Sequence, residues 1–214
     1  MNHILSVADA TEKLYNSLSE STGWKFLKSQ RCLKKTVKDL IFEIDFFSSK
    51  WNCSQQSVEV NAEFWLRCKS YGKLPVDNVI ASMPYRPELY DSKGGSWYDI
   101  STEKKLNAAF KDLNMRIHET AVSLCIQFET DYLAAVKGLL EEHFDEYNVH
   151  LDFIADKLGK SAIEDKAREI YAGLSKEMKQ QVMAYKNGAK NESWMVNRGN
   201  LKYIVDNELV NISV

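Results

Sequence analysis

WKFLKSQRCLKKTVKDLIFEIDFFSSKWN, residues 24–52, is the stretch on which the fold turns. Its first half carries Lys25, Lys28, Arg31, Lys34, Lys35 and Lys38 with no carboxylate before Asp39. That composition suits either a nucleic-acid surface or the solvent side of a hairpin. Periodicity favours the hairpin: Leu40, Phe42, Ile44 and Phe46 alternate with other residues, and Leu33 and Val37 precede a polar Lys38-Asp39 pair. With Lys38-Asp39 as a two-residue turn, Val37 falls opposite Leu40, Lys35 opposite Phe42, Lys34 opposite Glu43 and Leu33 opposite Ile44. One face is then apolar except for Lys35, while the other sets Lys34 beside Glu43 with Asp45 near the same row. The basic run is therefore partly paired within the hairpin.

Working outward, Val58, Val60, Ala62, Phe64 and Leu66 alternate with Glu59, Asn61, Glu63, Trp65 and Arg67, which adds a strand with one wet face. Residues 71–95 hold all three prolines and Gly72, Gly94 and Gly95, and read as irregular chain. Before the hairpin, Ile4, Val7, Ala8, Leu14, Tyr15 and Leu18 follow helical spacing, with Gly23 as the stop. After it, Ser101 or Thr102 caps a helix with the stripe Leu106, Phe110, Leu113, Ile117, Ala121, Leu124 and Phe128. Further helices are expected to open at Thr130, at Asn148, at a Ser161-x-x-Glu164 capping box and at Ser175. The fold class is α+β: an antiparallel meander of about four strands, an N-terminal helix and long helices, followed by a helical C-terminal region. The expected organisation is an α+β domain over residues 1–147 and a helical extension over residues 148–214.

A chain of 214 residues with 27 % charged and 44 % hydrophobic residues has the balance of a folded globular protein. The formal net charge of -2 weighs against a dedicated polyanion binder, since phosphate contacts need a surplus of Lys and Arg. The opening MNHILSVADATEKLYNSL lacks a basic leader, and no apolar run approaches the roughly 20 residues that span a bilayer. Cys32, Cys53, Cys68 and Cys125 form no CxxC pair. A reducing cytoplasm and no membrane association are the expectations.

Several chemistries find partial residue sets in the chain but no complete pattern. His118, His143 and His150 with Glu141, Glu142, Asp145 and Glu146 suggest a metal, yet a solvated acidic helix end accounts for them better. Asp91-Ser92-Lys93 and Glu164-Asp165-Lys166 resemble nuclease triplets but do not sit on a strand after another acid. There is no GxSxG elbow, no GxxxxGK[ST] loop and no GxGxxG. No catalytic residue, cofactor or metal is expected, and the sequence leaves enzymatic activity open while leaning against it.

The aromatic residues are more suggestive, because Trp, Tyr and Arg dominate binding hot spots. Trp65, Arg67, Tyr85, Arg86 and Tyr90, on the sheet face and the Pro/aromatic loop, are the candidate residues for binding another protein, with Trp65, Arg67 and Tyr85 expected in one exposed patch. The alternative is a nucleic-acid surface made of Lys25, Lys28, Arg31, Lys34 and Lys35.

The segments GWKFLKSQ at 23–30, DLIFEIDFFSSKWN at 39–52, VEVNAEFWLRC at 58–68 and SWYDIS at 96–101 resemble the bacterial domain of unknown function 4304 family. The likeness covers residues 1 to about 145 and rests on strand patterns and aromatic anchors. It implies an α+β domain of bacterial or phage origin and a toxin-immunity or defence setting. It supplies no functional residue.

Overall fold

The computed structural model describes residues 4–54, 56–71, 78–86, 97–189 and 199–212; Tyr90, Asp91, Ser92 and Lys93 lie outside the described residues. Two compact units divide the chain, Met1–Tyr132 and Leu133–Val214.

In the first unit, α1 (Val7–Thr22) starts where Ser6 accepts a hydrogen bond from the Asp9 amide, and it ends at Gly23. Gly23 has φ +68°, a left-handed cap that an L side chain resists. Then come β1 (Lys25–Leu27), β2 (Cys32–Val37), β3 (Leu40–Ser48), β4 (Glu59–Cys68), β5 (Val79–Tyr85) and β6 (Tyr98–Asp99). The sheet runs β1-β2-β3-β4-β5, all antiparallel, with β6 pairing β4 beside β5. The β2–β3 register is the one a Lys38-Asp39 turn requires: Val37↔Leu40, Lys35↔Phe42, Lys34↔Glu43 and Leu33↔Ile44.

One face of this sheet is the core. Leu33, Leu40, Phe42, Ile44, Val60, Ala62, Phe64 and Leu66 are all fully buried. Phe42 is ringed by Trp24, Phe64 and Phe128, with centroids 6.1, 6.3 and 5.9 Å away. Tyr15 of α1 stacks on Phe46 at 4.2 Å. The helical stripe read from sequence runs through α2 (Glu103–Ile117), a π turn (His118–Val122) and α3 (Ser123–Thr130). Thr102 caps it by accepting from the Lys105 amide. Buried Asp112 accepts from the Tyr98 hydroxyl at 2.7 Å and from Arg116 Nε at 2.9 Å, tying α2 to β6.

Two local expectations are corrected. β5 lies inside the stretch read as irregular: its Pro84 has no N–H for a ladder, but β5 is the outer strand of the path, where that loss is tolerated. The helix expected at Thr130 instead begins at Tyr132, because Asp131 is extended and ends α3.

The second unit holds most of α4 (Tyr132–Glu141), then α5 (Leu151–Leu158), α6 (Glu164–Ala172), α7 (Lys176–Lys186) and α8 (Gly199–Asp206). The Asn200 side chain accepts from the Leu151 amide and donates to the Val149 carbonyl, at 2.7 and 2.8 Å, which pins α8 to the start of α5. Ser175 caps α7 as expected. The Ser161/Glu164 box does not form: residues Lys160–Ile163 make a 3-10 turn that places Ser161 inside helical backbone, and Ile163 occupies the cap position. Among the described residues no helix is long and apolar enough to cross a membrane.

Candidate protein-binding face

Strand register lines up the side chains of the second sheet face in rows. One row reads Lys25, Lys34, Glu43, Trp65, Ser82, and the next reads Leu27, Cys32, Asp45, Glu63, Pro84. Beyond them Phe47 faces Asn61, and on the other side Ile41 faces Arg67. Along β4 the burial alternates strictly, so that Asn61, Glu63, Trp65 and Arg67 stay half-buried between fully buried neighbours.

Glu43 organises the face. Its carboxylate accepts from Lys34 Nζ and from Arg67 Nε, each at 2.7 Å, and its side chain is only 11 % exposed. The Arg67 guanidinium in turn lies 5.3 Å from the Trp65 ring centroid, a cation–π distance. Register puts Trp65 directly opposite Glu43, so one carboxylate fixes both a cation and, through it, an indole.

The neighbouring row sets two carboxylates against each other with no ion pair of its own among the described residues. Asp45 and Glu63 are directly opposite one another. Burial holds the Asp45 carboxyl above its ordinary value of 3.8; Glu43 and Glu63 push the same way, and Arg67 and Lys34 only partly oppose them. Ionised Asp45 therefore subtracts from stability at pH above its raised folded value, and that cost disappears as pH falls toward 3.8. Asp45→Asn is expected to melt higher than the parent at neutral pH, with the gap closing on acidification. Melting curves across that range check it; an Asn variant that melts lower at neutral pH, or a gap indifferent to pH, contradicts it. Beside Asp45, burial and the two nearby carboxylates push the Cys32 thiol up to about 11, so it stays protonated and unreactive.

The residues expected from sequence separate under this geometry. Trp65 and Arg67 come together on the open face. Tyr85 does not join them: it pairs with Ala62, is 1 % exposed, and shares a hydrogen bond of 2.7 Å with the Thr120 hydroxyl of the π turn. The expectation of one exposed patch uniting Trp65, Arg67 and Tyr85 is corrected, since an even-numbered partner on β4 places Tyr85 on the helix-covered side. Arg86 is exposed, and Tyr90 lies outside the described residues.

The basic stretch divides too. Lys34 and Lys35 point to opposite faces, Lys34 to Glu43 and Lys35 to Glu129 of α3 at 3.4 Å. Lys28 pairs with Glu12 at 2.8 Å, while Lys25 and Arg31 are exposed. Among the described residues, no three His, Cys, Asp or Glu side chains gather as a metal would need. Sequence periodicity alone does not single out Phe47, 42 % exposed on the open face, or Trp51, 77 % exposed in the β3–β4 connection.

The geometry defines an α+β protein whose sheet is helix-covered on one face and charged and aromatic on the other. The chain matches no protein-family model, no curated protein and no solved structure.

Proposed function

We propose that the first unit is a non-enzymatic protein-binding module that docks a partner on its open sheet face. The observation that carries this is Trp65, half-buried on that face, with Arg67 held over its ring by Glu43. A fixed Trp–Arg pair is the type of anchor that dominates protein interfaces, because its ordering cost is met before the partner arrives. The likeness to the domain of unknown function 4304 family supports an immunity or phage-defence setting for the interaction. The nucleic-acid alternative is the weaker reading, since Lys28, Lys34 and Lys35 each face a carboxylate of the same chain.

Trp65→Ala is expected to abolish capture of a protein from host lysate at high salt, with a melting temperature within a few degrees of the parent. Mass spectrometry, with nucleic acid quantified in parallel, reads the result. A collapse of the melting temperature would reassign Trp65 to the core. Retention of nucleic acid alone, lost at high salt, would replace the protein-binding reading with the basic-stretch alternative.

A further inference from the structure

We propose that the open face takes a basic protein segment, with cationic side chains against Asp45 and Glu63 and apolar side chains against Phe47 and Trp51. This rests on the protein-binding reading above and adds the chemistry of the partner.

Charge complementarity supplies the first argument. Like charges directly opposite in an antiparallel pair destabilise it, yet Asp45 faces Glu63. Lys34 and Arg67, the cations whose charge reaches Asp45, already bind Glu43, and among the described residues no ion pair reaches Asp45 or Glu63. The rest of that row is Leu27, Cys32 and Pro84, which bring no charge. An arginine or lysine set between the two carboxylates relieves the repulsion that the isolated fold carries, so the face gains more from a cation than from a neutral ligand. The same carboxylates repel phosphates, which separates this surface from a nucleic-acid site.

The second argument is independent of charge. Phe47 lies on the same face one alternation beyond Asp45, about 7 Å along the strand. It stands at the end of the sheet where the β3–β4 connection presents Trp51. That tip is tightly built: Asn52 donates to the Glu59 carbonyl at 2.8 Å and accepts from the Glu59 amide at 2.7 Å. The Ser49 amide donates to the same carbonyl at 3.1 Å, and Ser49 Oγ accepts from the Trp51 amide at 3.2 Å. A pinned backbone thus holds a largely exposed indole outward, with Lys50 Nζ 5.1 Å from its ring centroid. Rigid aromatic anchors of this sort fill partner pockets at little entropic cost.

Two fluorescein-labelled peptides test the proposal on the full chain by anisotropy, one alternating arginine with leucine and the other glutamate with leucine. The arginine peptide is expected to bind and the glutamate peptide not to. Asp45→Asn with Glu63→Gln should weaken the arginine peptide about tenfold or more, a change of about 1.4 kcal/mol. Trp51→Ala should also weaken it. The charge-matched control Glu142→Gln with Glu177→Gln, both exposed in the second unit, should leave binding unchanged. Equal loss in the control, or no loss in the Asp45/Glu63 variant, overturns the proposal, as does failure of the arginine peptide to bind. Binding of the glutamate peptide that disappears in Trp65→Ala overturns the basic partner while keeping the sheet face. Indifference of every peptide to every open-face substitution overturns both.

Discussion

Phe42→Ala is expected to lower stability by about 3–5 kcal/mol, the range for emptying a large aromatic site in a core. Phe42, the third residue of β3, is fully buried, edge-on to Trp24 and Phe128 and stacked with Phe64. Those rings come from a loop, a helix and a neighbouring strand, so no single neighbour can move in to fill the space without breaking its own contacts. The matched comparison is Phe47→Ala, five residues along the same strand but on the open face and 42 % exposed. Its cost should stay within about 0.5 kcal/mol, as for surface substitutions away from special features. Urea denaturation reads both, as a fall in midpoint for Phe42→Ala with the slope kept. Similar losses at the two positions would mean that the sheet is covered on both faces, and the open-face reading would fall with it.

What was legible in the sequence follows from where the chain carries its own register information. Lys38-Asp39 leaves only one way to close β2 on β3, and the four pairs deduced from it are the pairs found. Gly23, Thr102 and Ser175 declare helix ends through local chemistry, a positive φ or a side-chain oxygen that accepts from an amide three residues on. The Asp45–Glu63 opposition carries no such marker: the β3–β4 connection ties Asn52 to Glu59 at the start of β4, and those hydrogen bonds set the register only once folded. Tyr85 falls on the opposite face from the one the sequence suggests for a related reason. Its face is decided by pairing across to Ala62 in a strand that contains proline and lacks clean alternation. The Ser161/Glu164 box met the sequence rule, but Gly159 at φ +88° turns the chain into a 3-10 segment before the box can act. Local rules thus fixed elements, while tertiary pairing fixed which side chains share the site.

Glu43→Ala should cost about 2 kcal/mol or more, below the 3–5 kcal/mol of a fully buried pair because both cations keep some contact with water. The loss is asymmetric. Lys34 and Arg67 each direct a nitrogen at the same carboxylate, so removing it leaves two positive charges converging on an empty, poorly hydrated space. Removing the whole set should be milder: Glu43→Leu with Lys34→Met and Arg67→Met is expected to recover most of the stability, since apolar side chains of similar volume need no counter-charge. A cost for Glu43→Ala below about 0.5 kcal/mol would make the network no more than an exposed pair. The two variants also part stability from recognition. The triple replacement keeps the sheet but loses the guanidinium over Trp65, so it should fold well and fail to capture the partner. Full capture by that variant would remove Arg67 from the binding surface and leave recognition to Trp65 and the Asp45/Glu63 row.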